Sequence, residues 1–147
     1  MRTPPEGTVT TTATIDNDRY YAGKEGGAFV RDIPVALTWD LLRRGQERFN
    51  IYCAPCHDRT GSGGGIVVIR AGGTMVKPPS YHEDRIRQAP AGELFNVITS
   101  GVRTMPSYSY QVPVDDRWAI VAYIRALQRS QKTVLADVPE EMRGNLK

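Results

Sequence analysis

The chain has 147 residues, 40% of them hydrophobic, enough for one compact domain and too few for two. Its 19 basic and 16 acidic side chains leave a formal charge of +3 without any dense Lys/Arg block; an acidic partner surface would be favoured, and nucleic-acid binding has no positive support. The longest apolar runs, Ile66 to Ile69 and Trp118 to Ile124, fall far short of the roughly 18–20 residues that a membrane-crossing helix needs, so no direct membrane span is expected.

Residues 1–37 read as an irregular N-terminal extension, Thr-rich from Thr8 to Thr14, Gly-rich from Gly23 to Gly27, with prolines at 4, 5 and 34. Met1 to Glu6 lack the charged start, apolar stretch and cleavage site of a secretory signal, as expected where numbering begins at a processed chain. Ile15, Tyr20, Tyr21, Phe29, Val30 and Ile33 are more apolar than a free linker needs, which points to docking on a partner or on the chain's own domain as the alternative to disorder.

From Thr38 the spacing becomes helical. Leu41, Gly45, Phe49 and Tyr52 form a stripe, with Thr38 or Asp40 available as N-cap, and the helix runs straight into Cys53. The many glycines and prolines of residues 58–91 predict a loop that wraps something. A short helix is expected over about Ala91 to Ser100, capped by Gly101, then a second loop from Val102 to Val112. The last helix should run from about Pro113 to Gln128, with Asp115 and Asp116 at its positive end and Ile120, Tyr123, Ile124 and Leu127 buried. No alternating run is long enough to predict a sheet, and residues 131–147 read as a tail. The fold class expected is all-α, with long loops.

The chemistry concentrates in Cys53-Ala54-Pro55-Cys56-His57. Two thiols three apart on a helical turn face the same way and can form thioethers with one flat macrocycle, while the adjacent imidazole turns onto its iron; Cys-x-x-Cys-His is the attachment signature of haem c. Three other readings compete. A thioredoxin-like dithiol requires a βαβ context and an exposed, low-pKa thiolate. Structural zinc requires four ligands, and beyond the two cysteines the chain offers only His57 and His82. Chance occurrence would leave a Gly- and Pro-rich helical chain without enough core.

Low-spin electron-transfer haems take Met or a second His as sixth ligand. Met1 and Met142 lie near the ends, which leaves Met75, Met105 and His82. Met105 has the longer separation from His57, sits between two helices, and directly precedes the stiffening Pro106, so it is the expected ligand; Met75 and His82 stay open as alternatives. A methionine is more often a core filler, but the polar run Arg103-Thr104-Met105-Pro106-Ser107 argues against that role here.

With these residues in view, Thr38 to Ser130 resembles class I cytochromes c. Four longer strings resemble, more narrowly, the monohaem cytochrome subunit of alternative complex III, a bacterial quinol-oxidising respiratory complex. These are Arg44-Gly45-Gln46-Glu47-Arg48-Phe49-Asn50-Ile51-Tyr52-Cys53, Arg87-Gln88-Ala89-Pro90, Met105-Pro106-Ser107-Tyr108, and Asp116 through Gln128. The resemblance implies one covalent haem c on Cys53 and Cys56, iron ligated by His57 and Met105, and single-electron transfer without catalysis by the chain alone. It implies partners among the subunits of a membrane respiratory complex, including a multihaem cytochrome, and a terminal oxidase or soluble carrier as acceptor. It also implies the periplasmic face of the inner membrane, since bacterial haem attachment occurs outside the cytoplasm. Gly45 and Tyr123 would make the crossing of the first and last helices. Pro78 or Pro79 would lie beside His57, with a nearby carbonyl accepting its Nδ1 proton. Asp58 departs from the glycine many relatives carry there, and Thr104 precedes the methionine; neither removes a ligand. A free soluble cytochrome c is the near alternative, and a gas- or peroxide-reactive haem protein the distant one if Met105 does not bind iron.

Overall fold

A computed structural model describes residues 17–144. Its frame is two long helices, α2 (Trp39–Tyr52) and α7 (Val114–Ser130), packed across each other. Thr38 caps α2, its Oγ1 accepting from the Leu41 amide at 3.1 Å, so of the two candidate caps the threonine is used. The crossing is set by Gly45, where an added Cβ would lie 2.0 Å from the Ala119 carbonyl oxygen and 3.0 Å from Tyr123 Cβ. Only a residue without a side chain lets the two backbones approach this closely, and the expected Gly45–Tyr123 contact is present. Arg44 clamps the same crossing with two hydrogen bonds to the Asp116 carboxylate, 2.7 and 3.0 Å.

Helix α6 (Ala91–Ser100) packs on α7, with Phe95 stacked on Trp118 at 4.2 Å between ring centroids. Phe49, Phe95, Trp118, Ile120, Val112 and Val121 are the large, fully enclosed side chains of the core. Between α2 and α6 the chain forms three short helices: α3 (Ala54–His57), α4 (Ile66–Arg70) and α5 (Asp84–Gln88). The last two, of five residues each, fall where the sequence predicts loop; turns this short carry too little periodicity to be seen.

The segment before α2 packs on its own domain. Helix α1 (Asp18–Tyr21) and strands β1 (Lys24–Glu25) and β2 (Ala28–Phe29) form a small antiparallel hairpin unit. Its turn is Gly26-Gly27, both at positive φ, the chemistry of a tight two-residue hairpin. Trp118 Nε1 donates to the Tyr20 carbonyl at 2.7 Å, the Tyr20 hydroxyl to the Asp115 carboxylate, and the Gly92 amide to the Val30 carbonyl at 2.9 Å. Val30 is thereby buried. The part of the extension from Met1 to Asp16, with Ile15 among its apolar residues, lies outside the described residues. After α7 come a 3₁₀ turn, Leu135–Asp137, and helix α8 (Glu140–Arg143), with no buried side chain. Among the described residues no helix is long and apolar enough to cross a membrane.

Candidate haem site

The site grows out of the junction between α2 and α3. The Cys53 amide closes the last turn of α2 on Phe49 at 2.8 Å, and the Cys53 carbonyl receives the Cys56 and His57 amides at 3.1 and 2.9 Å. That continuous winding puts Cys53 and Cys56 one turn apart, both half-buried and neither disulfide-bonded. Burial, reinforced by Cys56, pushes the Cys53 thiol up to about 12, the reverse of the depressed pKa of a catalytic dithiol. The described strands form only the distant hairpin, with no βαβ unit. Among the described residues no three His, Cys, Asp or Glu side chains converge as an ion site, so the zinc reading has no ligand set.

Burial lowers the His57 pKa to about 4, against the opposing pull of Asp58, so the imidazole is neutral at neutral pH, the form that ligates a metal. Its Nδ1 is buried and has no hydrogen-bond partner among the described residues. The expected acceptor carbonyl makes no hydrogen bond to it there; the Pro78 oxygen lies beside Gly63, where a Cβ would be 2.2 Å from it. The Tyr81 ring instead lies flat against the imidazole, 4.7 Å between centroids and 14° from parallel.

Asp58 builds the loop behind the histidine. One carboxylate oxygen accepts from the Thr60 amide (2.5 Å), Thr60 hydroxyl (2.6 Å) and Gly61 amide (3.0 Å). The other accepts from the Ser62 amide (3.0 Å), Ser62 hydroxyl and Gly64 amide (3.2 Å). Burial opposes its charge, but these donors together hold the carboxyl well below the usual carboxylate range. Asp58 sits at φ +58, a left-handed conformation that glycine adopts without steric cost. The loop then returns to the motif, with the Gly63 amide on the His57 carbonyl at 2.9 Å and the Gly65 amide on that of Cys56 at 3.0 Å.

The candidate sixth ligands occupy three different settings. Met105 closes a two-residue turn whose ends exchange both backbone hydrogen bonds with Val102, 3.0 and 2.9 Å. The chain after it is pinned to α6 by Ser107 Oγ on the Thr99 carbonyl (2.6 Å) and the Tyr108 amide on that of Ile98 (2.9 Å). Buried Arg117 supports the same corner through the Thr99 hydroxyl and Val112 carbonyl. His82 is engaged elsewhere, its Nε2 2.8 Å from the Thr60 carbonyl. Met75 lies beside exposed Val76, after Gly72 and Gly73, around which a Cβ would meet nothing within 4 Å.

Two tyrosines that sequence reading overlooked frame the cysteines. Tyr81 and Tyr108 both have raised pKa values, first through burial and then through the nearby Cys53 and Cys56. Tyr81 lies on the His57 ring, and Tyr108, three residues beyond Met105, meets Tyr52 edge-on at 6.5 Å between ring centroids. Two half-buried free thiols one turn apart and a buried neutral imidazole fit a covalently held haem.

A family profile described as cytochrome C oxidase, cbb3-type, subunit III matches residues 40–124. No curated protein matches the chain. A chain of the Kuenenia stuttgartiensis reducing HAO-like protein complex is similar in structure, with a TM-score of 0.52 and 21% identity over 76% of this chain and 54% of that one. The present chain thus spans about half the length of that relative. Cytochrome cL from Methylophaga aminisulfidivorans (TM-score 0.47, 19% identity, 74% of this chain and 67% of that one) and from Hyphomicrobium denitrificans (0.47, 23%, 73% and 59%) also match. With the profile covering more than half of the sequence, from the first turn of α2 into α7, the chain belongs to the cbb3-type subunit III family of cytochromes c, with a class I cytochrome c fold and covalent haem c.

Proposed function

We propose that Cys53 and Cys56 would carry the two thioethers of a haem c and that His57 and Met105 would ligate its iron. Residues 38–130 are then the haem domain, between the N-terminal extension 1–37 and the tail 131–147. The observation that carries this reading is the α2–α3 corner, where two half-buried thiols lie one turn apart and the buried, neutral His57 follows them directly. The haem supplies the one-electron ferrous–ferric couple. The chain's own work is to hold both ligands in place, so that little rearranges as the electron passes, and to keep water from the iron. The pinned Val102–Met105 turn and the carboxylate-laced loop behind His57 suit that task.

We further infer a working place in a membrane-bound quinol-oxidising respiratory complex of the alternative complex III type, on the periplasmic face. There the chain takes electrons from a neighbouring subunit, a multihaem cytochrome, and hands them to an oxidase or soluble carrier. The four extended strings support this reading, as does the membership of the Kuenenia stuttgartiensis relative in a protein complex. The test is extraction of native membranes. Retention of the cytochrome through a salt wash, followed by crosslinks to a multihaem subunit after detergent solubilisation, is the expected result. Release by salt as a free monomer would replace the complex with a soluble carrier, and rapid carbon monoxide binding to the reduced protein would replace electron transfer with ligand chemistry at an open iron.

A further inference from the structure

We propose that Tyr81 sets the orientation of the His57 imidazole by stacking, a positioning role that rests on the reading of His57 as an iron ligand. An imidazole on iron can turn about its metal–nitrogen axis unless something fixes its plane, and a hydrogen bond from the second ring nitrogen usually does so. Here that nitrogen, Nδ1, is buried with no partner among the described residues, and the Pro78 oxygen packs against Gly63. The contact that can define the plane is the Tyr81 ring, 4.7 Å away and 14° from parallel. A flat ring pressed on another flat ring admits one plane and resists rotation out of it.

Tyr81 is itself held from several sides, which a positioning residue requires. Its amide donates to the Gly61 carbonyl at 2.9 Å. Its carbonyl accepts from Gln128 Nε2 at 2.8 Å, and Gln128, buried on α7, is fixed in turn by Arg125 Nη1 on its Oε1 at 2.8 Å. Phe49 flanks the ring at 6.1 Å between centroids. Gly61 makes room for it, since a Cβ there would lie 2.6 Å from Tyr81 Cδ2. The last helix thereby reaches the iron ligand through Arg125, Gln128 and Tyr81. The stack uses the tyrosine's face and leaves its hydroxyl idle in this role, so phenylalanine should substitute for it and an aliphatic residue should not.

The experiment uses the full-length holoprotein with Tyr81→Phe and Tyr81→Leu. In the ferric state, the order and spread of the haem methyl hyperfine shifts and the largest electron paramagnetic resonance g-value report the imidazole plane. The expected result is a wild-type pattern in Y81F and a permuted methyl order with a shifted g-value in Y81L, both variants keeping low-spin absorption spectra. In the reduced wild type, cross-relaxation between the Tyr81 and His57 ring protons is expected, a measurement that stands even where Y81L does not fold. Y81L with the wild-type methyl order, or no Tyr81–His57 cross-relaxation, would overturn the proposal while leaving His57 as ligand. A wild-type spectrum without axial imidazole resonances would overturn the ligand reading itself, and the positioning role with it.

Discussion

Met105 is presented by a turn that its neighbours lock, not by a free loop. The Val102–Met105 pair exchanges two backbone hydrogen bonds, and Ser107 and Tyr108 tie the following residues to the end of α6. Replacing Met105 with Ala should therefore remove the sulfur while leaving the fold in place. The oxidised variant should lose the far-red sulfur-to-iron charge-transfer band, and its reduction potential should fall, because the thioether favours ferrous iron. A retained band in a visible–near-infrared scan would transfer the role to Met75.

Asp58 offers a second residue-scale prediction, one with a sign in pH. Its folded pKa is held below the unfolded value of about 3.9, so its stabilising effect is fully present above that value and is lost as pH falls through the folded pKa. Asp58→Asn keeps one acceptor but turns an amide donor on the donors of Ser62 and Gly64. The half-exposed setting screens the loss to about 1–3 kcal/mol near neutral pH. Thermal melts of both holoproteins from pH 7 down to pH 2.5 should show a gap that is constant above about pH 5 and narrows below about pH 4. A gap independent of pH would mean that the loop does not depend on the charge.

At the scale of elements, the α2–α7 crossing decides whether there is a site at all, because α2 delivers Cys53 and α7 holds Tyr81 through Gln128. Gly45→Ala puts a methyl into the Ala119 carbonyl, and backbone cannot yield as a side chain end can. The two helices must separate, at a cost of about 3 kcal/mol or more, seen as a lowered midpoint in guanidinium titration. Arg44→Ala leaves Asp116 nearly buried with the longer contact to Arg48, 3.4 Å, but Arg44 is partly exposed, so a smaller drop in the midpoint than for Gly45→Ala is expected by the same titration. Arg44, Gly45, Asp116, Ala119 and Tyr123, all within the longer strings of the sequence, interlock at this crossing.

This crossing is also where the sequence was most legible. Helices α2, α6 and α7 repeat their apolar residues over enough turns to declare a buried face, and Thr38, Gly101 and Asp116 mark their ends or partners. The cysteines and His57 were legible because three residue types at fixed spacing encode one chemistry. Tyr81 was not, since its role comes from a ring contact across 24 residues of glycine-rich chain that no periodicity registers. The Gly26-Gly27 hairpin did carry a signal, a two-glycine turn, but its two-residue strands are too short for alternation to show.

Over the whole molecule, the extension before α2 is part of the domain's closure as well as a candidate docking element. Trp118, fully buried in the core, satisfies its indole N–H through the Tyr20 carbonyl, and the start of α6 pairs its Gly92 amide with Val30. Removing residues 1–33 would leave both donors without those partners and expose the face that Val30 covers. Two lost hydrogen bonds of about 1 kcal/mol each and the uncovered apolar surface sum to roughly 3–4 kcal/mol. For a domain of this size that lowers Tm by on the order of 10 °C, readable by circular dichroism on the holoprotein. A segment that served only to grip a neighbouring subunit would behave differently: its removal would leave Tm unchanged and free the cytochrome from native membranes. Removing residues 1–16 alone separates the two roles, because the Tyr20 and Val30 contacts persist; an unchanged Tm with loss from the membrane complex would place the docking function in that first stretch, ahead of the hairpin.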